Sequence, residues 1–270
     1  MNSVIKEIKK YFNVYIAFVK NCIIAQMEYR FNFYISFLFD CAFLLTRIIY
    51  VAVVYQTQVE INGLSADQIL IFIGTFTIMS GIYGFFYVNN FFRISDYIRQ
   101  GNLDLLMVKP ISLQFMVTLR YVDLGISLPD LIGGTIMVIV ACMKLNISVS
   151  FTSILGYLLL LISGTIIMYV IFLLPHILSF WIVKTTAINN IVDALFEFNN
   201  MPMFIYSKWM QRIGLFLVPL FAISNFPAMF LLNLMTIKYI IWAIAAPIIL
   251  LVILRLVWNL AIKNYTSASS

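Results

Sequence analysis

Charge is scarce in this 270-residue chain. Only 10% of the residues are Asp, Glu, Lys or Arg, 63% are hydrophobic, and the mean hydropathy is +1.01. That balance excludes a soluble domain, whose surface carries far more charge. Several apolar runs reach the ~20 residues that cross a bilayer, so an all-α, polytopic membrane protein is expected. The runs are continuous rather than alternating, which excludes a transmembrane β-barrel. Histidine occurs once, which argues against a histidine-rich metal site and a His-based triad. The three cysteines, Cys22, Cys41 and Cys142, form no metal-spaced pair and read as small core residues, not as disulfide partners. G-x-x-x-x-G-K-S/T, H-E-x-x-H and the glycine-rich dinucleotide fingerprint are all missing. Asp40, Asp123, Asp130 and Asp193 lie in or near apolar runs without the flanking signatures of an intramembrane protease. No enzyme, metal or cofactor is expected in this chain. Repeats, low-complexity tracts, soluble linkers and a signal peptide are not visible, so 1–270 reads as one domain.

The net charge of +6 is placed, not spread. Lys6, Lys9, Lys10, Lys20 and Arg30 precede the first apolar run, and Arg93, Arg99 and Lys109 follow the second. The loop 56–66 has no Lys or Arg. This positive-inside pattern puts the N-terminus in the cytoplasm and removes the case for nucleic acid. Residues 1–26 read as an amphipathic helix in the membrane interface. Ile5, Ile8, Phe12, Ile16 and Val19 form its stripe, and its lysines face anionic headgroups.

Six spans are expected. The first, 33–55, contains Asp40 and Arg47 on nearly one face. A charge near mid-membrane costs at least ~2.5–3.5 kcal/mol, so Arg47 faces protein or water. It either lines a path or sits in an interhelical ion pair, and Asp130 is a candidate partner. The second span, 68–91, has a small-residue face of Gly74, Ser80, Gly81 and Gly84. The third, 113–141, is expected to kink at Pro129. The fourth starts at Phe151 and ends near Trp181, with Lys184 inside, and His176 reads as a packing group. Residues 185–232 allow two arrangements. Counting charge puts Lys208 and Arg212 inside and makes 213–232 the fifth span. The other makes 185–206 the fifth span, with Asp193 and Glu197 one turn apart, followed by two short helices that dip back from outside. The last span is 238–262, and the polar tail 266–270 is expected to be loose.

The longest water-tolerant stretch is 93–110, RISDYIRQGNLDLLMVKP. Ile94, Tyr97 and Ile98 recur at helical spacing, Gly101 and Asn102 break that helix, and Pro110 closes a second piece. The second piece exposes Leu103, Leu105, Leu106 and Met107. Those side chains either dock into a groove on another protein or lie on headgroups.

The stretch I-R-Q-G-N-L-D-L-L-M-V-K-P-I resembles the hallmark "G-x-L-D-x-x-L-x-K-P" of one branch of the ABC-2 type permeases. Gly101, Leu103, Asp104, Leu106, Lys109 and Pro110 carry the match. Phe180-Trp181, Met201-Pro202, Ile205-Tyr206, Val218-Pro219-Leu220-Phe221 and Phe226-Pro227-Ala228 resemble the branch's second half. The common "P-x-x-I-Y-P" departs here to Tyr206-Ser207.

The resemblance implies six spans, an interfacial N-terminal helix and re-entrant helices at 207–232. It also implies a cytoplasmic coupling helix that docks on a separate ATP-binding subunit, which holds ATP and Mg. A second permease, identical or related, is the other expected partner. The activity implied is export of a drug, antibiotic, peptide or lipid-like substrate across a bacterial cell membrane, with both termini cytoplasmic. On that footing Leu103, Leu106 and Met107 would be docking contacts. Asp104, Arg99 and Lys109 would orient the helix, Gly101 would allow its turn, and Arg93 and Pro110 complete the coupling set. Asp40, Arg47, Asp193 and Glu197 are candidates for the transport path. An ion-gradient-driven transporter and a non-transporting scaffold stay open as alternatives.

Overall fold

The computed structural model describes residues 2–57, 63–182 and 185–265, and its elements are helices throughout. Part of the loop 56–66, Lys184 and the tail 266–270 lie outside the described residues. The chain opens with α1 (Asn2–Glu28) and α2 (Arg30–Thr57), separated by Tyr29 alone. Ile5, Ile8, Phe12 and Ile16 of the α1 stripe are exposed. A neighbouring flank of α1 runs beside residues 110–124. The Lys10 ammonium donates to the Pro110 carbonyl, the Ser112 N–H donates to the Tyr11 hydroxyl at 3.0 Å, and Phe18 stacks on Phe115 at 6.1 Å.

Next comes α3 (Ala66–Tyr83), which starts on a reciprocal cap. Gln68 N–H donates to Ser65 Oγ, and Ser65 N–H donates to Gln68 Oε1. It passes through a single π-helical turn, Gly84–Val88, into α4 (Asn89–Arg99). The result is one 34-residue rod, Ala66–Arg99. At 1.5 Å per residue it is about 50 Å long, against a hydrocarbon core of ~30 Å. The short helix expected near Arg93 is therefore the projecting end of the second span.

The expected third span is divided. Two short helices, α5 (Asn102–Met107) and α6 (Leu113–Thr118), lead into irregular backbone at 119–127, and α7 (Leu128–Lys144) follows. Pro129 does not kink a span. It sits in the first turn of α7, where its missing N–H deprives no helical acceptor. The glycine face of α3 packs on α7 as its composition suggests. A Cβ on Gly134 would stand 2.7 Å from the Gly74 carbonyl oxygen, so the two backbones are in contact there.

The second half begins with α8 (Phe151–Ile177), which ends in a 3-10 turn at Leu178–Phe180, close to the expected end. Then come α9 (Thr185–Phe198), α10 (Lys208–Arg212), α11 (Phe221–Leu231) and α12 (Ile237–Lys263). The straight crossing over 213–232 favoured by charge counting is not formed. Lys208–Leu217 and Phe221–Leu231 meet at 104°, with the turn at Val218-Pro219. Trp242 Nε1 donates to the Leu215 carbonyl at 2.6 Å, and Phe230 packs on Gly156. The far end of α11 thus lies near the start of α8, and the bend lies beside the first turns of α12.

The end of the bundle where α8 and α12 start also holds the finish of α2 and α7 and the start of α3. Tyr55 donates to Asp67, and Lys144 stands 3.7 Å from Asp67 and 4.1 Å from the Tyr55 ring centre. Residues 93–110 occupy the opposite end. By length and composition four helices can cross a membrane: Arg30–Thr57, Ala66–Arg99, Phe151–Phe180 and Ile237–Lys263. The bent pair would make a fifth. The fold is all-α, polytopic and membrane-embedded.

Candidate functional site

The stretch 93–110 is a structured projection on the end of the α3–α4 rod. Arg93 lies over the Tyr121 ring at 4.3 Å, and Arg99 pairs with Asp96 at 2.9 Å on the exposed face. Gly101 turns the chain at φ +71°, a left-handed conformation that strains other residues. In α5 the expected set of exposed leucines divides. Leu103 and Leu106 are buried in this chain, at 0% and 6% exposure, so they are not free to dock. Leu105 (65%), Met107 (38%) and Val108 (78%) face outward. A six-residue helix has two faces, and residues three apart share one.

Asp104 is turned toward the other end of the chain. Tyr265, just past α12, lies close enough to Asp104 to feel its charge. Burial first, and then that carboxylate, hold the Tyr265 phenol above its ordinary pKa. Tyr265 also packs edge-on to Phe180, which meets Trp258. Lys109 is exposed, and the Pro110 carbonyl accepts from Lys10. The projection is therefore tied to α1 on one side and to α8 and α12 on the other.

The irregular backbone at 119–127 is satisfied by amide side chains that sequence reasoning passed over. Asn90 exchanges two hydrogen bonds with Tyr121. Gln26 Nε2 donates to the Val122 carbonyl at 2.8 Å, and its Oε1 accepts the Leu124 N–H at 3.0 Å. The Asp123 N–H donates to the Phe85 carbonyl at 3.3 Å, beside the π turn. Asp123 itself accepts from Asn89 at 2.8 Å and from the Gly125 N–H at 2.9 Å. Non-helical backbone survives at membrane depth only when other protein groups replace its lost partners. The available signal was three amides, Gln26, Asn89 and Asn90, in otherwise apolar surroundings.

Of the four path candidates, two come together and two stand apart. Arg47 Nη1 meets Asp130 Oδ2 at 2.6 Å, its Nη2 donates to Ser80 Oγ at 3.0 Å, and its guanidinium lies 5.1 Å from the Phe76 ring centre. Asp40 accepts the Asp130 backbone N–H at 3.2 Å. Arg47 is thus an interhelical ion pair with Asp130, the more conservative of the two expectations for it. Asp193 and Glu197 lie exposed on α9. They join the first pair only indirectly, through Phe196, which meets Phe76 at 5.3 Å. Among the described residues no three His, Cys, Asp or Glu side chains gather as a metal site.

The family model described as "ABC-2 family transporter protein" matches residues 41–269. The chain belongs to the ABC-2 transporter family. Neither curated proteins nor solved structures yield a match. The matched region covers the projecting stretch and everything from the middle of α2 to the end of α12. As an ABC-2 permease the chain is a transport subunit rather than an enzyme. The brace made by α1 precedes the matched region.

Proposed function

We propose that this ABC-2 permease is the membrane half of an ATP-driven exporter. ATP and Mg would be held by a separate ATP-binding subunit, and a second permease would complete the path. In this reading the chain crosses the membrane six times, with α7 and α9 as the two shorter crossings. The bent pair within 207–232 is re-entrant, α1 lies in the interface over residues 1–26, and both termini are cytoplasmic. The whole of 1–270 acts as one transmembrane domain.

The observation that carries the reading is the α3–α4 rod. A spanning helix that continues unbroken to Arg99, and then turns at Gly101 into α5, makes a stiff lever. Leu105, Met107 and Val108 give it an apolar tip that this chain leaves uncovered. Arg93, Arg99, Asp104, Lys109 and Pro110 hold the tip in position, while Leu103 and Leu106 root it in the bundle. Closure of two ATP-binding subunits would favour one position of the tip. The rod and the hydrogen-bonded 119–127 segment would carry that preference to α3 and α7, shifting the path between inward and outward access. The substrate would be a drug, antibiotic, peptide or lipid-like molecule taken from the cytoplasm or the inner leaflet.

The test is co-expression with the products of the neighbouring reading frames, followed by purification and ATPase assay in lipid. A stable complex with substrate-stimulated hydrolysis is expected. Ion-dependent flux by this chain alone, with no ATPase bound, would refute the reading.

A further inference from the structure

A cleft lies between α1 and the body of the bundle. It has two connected parts, of about 680 Å³ and about 410 Å³, and Tyr11, Tyr87, Phe115 and Leu119 line both. Each volume is of the size that holds a small molecule. The walls are rings more than branched side chains. From α1 come Tyr11, Phe12 and Tyr15, and Phe115 meets Tyr11 edge-on at 5.0 Å. From the rod, the π turn at Gly84–Val88 supplies Phe86 and Tyr87, and Tyr87 meets Tyr169 of α8 at 5.5 Å. Single π turns inside helices recur at functional sites.

Polar groups of the cleft are satisfied within the chain, with one exception. The Tyr169 hydroxyl accepts from Gln114 Nε2 at 3.0 Å and stands 3.1 Å from Thr118 Oγ1. Thr118 donates to the Gln114 carbonyl at 2.8 Å, and Thr165 to the Leu161 carbonyl at 2.8 Å. Tyr15 is the exception. Its hydroxyl is buried and has no hydrogen-bond partner among the described residues. It stands close enough to Tyr87, which lines both parts of the cleft, for the two phenols to interact electrostatically. A buried hydroxyl left unpaired is costly, and an acceptor held in the cleft would relieve that cost.

The same features choose the occupant. Among the described residues the lining has Glu7 but no Lys or Arg, so nothing there neutralises an anion. An acyl chain of the bilayer is the competing occupant, but it would leave Tyr15 unpaired and gain nothing from ring geometry. A flat aromatic molecule packs offset or edge-on against these walls, and a carbonyl or ring nitrogen on it accepts the Tyr15 proton.

We propose that the cleft between α1 and the π turn binds a neutral, planar aromatic molecule that carries a hydrogen-bond acceptor. Such a molecule bridges α1 to the rod. That it is also a molecule to be exported rests on the exporter reading, whereas the binding event does not.

The experiment therefore contains no nucleotide and no ATP-binding subunit. The full chain is placed in nanodiscs of zwitterionic lipid, with empty discs as the blank. Acridone is the probe with an acceptor, and anthracene has the same three-ring outline without one. Saturable binding of both above the blank is expected. In Tyr15→Phe, which loses one oxygen, acridone should bind about fivefold more weakly and anthracene as in the parent. The melting temperature of the empty Tyr15→Phe protein should not fall, because the hydroxyl it removes has no partner there. Thr165→Trp, which fills the cleft from α8, should remove saturable binding of both probes. Acridone binding unchanged by Tyr15→Phe, or either probe unaffected by Thr165→Trp, overturns the site. No saturable binding of acridone by the parent overturns it too, and leaves the cleft to an acyl chain. Failure of the exporter reading would appear instead as missing stimulated ATPase, and it would leave these binding results standing.

Discussion

Asn90 holds Tyr121 by both halves of its amide. Nδ2 donates to the Tyr121 carbonyl at 2.7 Å, and Oδ1 accepts the Tyr121 N–H at 2.9 Å. The residue is completely buried, and the same Nδ2 also donates to the Phe86 carbonyl within its own helix. One side chain therefore locks the rod to the segment that feeds α7. Asn90→Leu fills similar space and removes both cross-links. Each buried backbone group left unpaired costs about 1–3 kcal/mol, so a clear drop in melting temperature is expected in detergent or nanodiscs. Asn90→Asp keeps the acceptor, loses the donor and should fall between the two. A Leu variant as stable as the parent would show that water replaces the amide.

The bundle is legible in the sequence because burial and bilayer length leave so few alternatives. The glycine face of α3 and the need of Arg47 for a partner follow from composition alone. The break at 119–127 is not legible, because Arg120 and Asp123 read equally well as the polar inner end of a continuous span. What permits it is a set of amides scattered along the chain, with Gln26 and Asn90 far from the backbone they satisfy. The two faces of α5 are hidden for another reason. Over six residues a helical pattern has no length in which to declare itself, so Leu103 and Leu105 look alike until the packing is known.

Removing one partner of the Arg47–Asp130 pair should cost far more than removing both. Asp130 is 1% exposed, and a buried carboxylate stripped of its guanidinium costs about 3–5 kcal/mol. Arg47→Met is therefore expected to lower the yield and melting temperature sharply. Arg47→Met with Asp130→Leu should recover most of the loss, since a packed apolar pair is often as stable as the ion pair. If the double variant also transports normally, the pair is structural. Normal melting with lost transport would place Arg47 on the path instead.

Gly101 separates strain from blockage. Its φ of +71° admits alanine at about 1 kcal/mol or slightly more, but not proline, whose ring fixes φ near −65°. Gly101→Ala should retain a measurable fraction of stimulated ATPase. Gly101→Pro should abolish stimulation, with the protein still inserted and folded, because the turn is outside the apolar bundle. Equal activity of the two variants would mean that this turn transmits nothing.

The outward tip of α5 allows a sharper comparison. Leu105 and Val108 are exposed, whereas Leu103 is fully buried. Leu105→Asp with Val108→Asp adds two charges to a surface that water already reaches, so this chain's own melting temperature should hardly change. If the tip docks in an apolar groove of the ATP-binding subunit, the same change desolvates two carboxylates there and should eliminate co-purification. Leu103→Asp should behave in the opposite order. It buries a charge inside the permease and should reduce folded yield before any partner is added. A normal complex in the Leu105/Val108 variant would remove the tip from the interface.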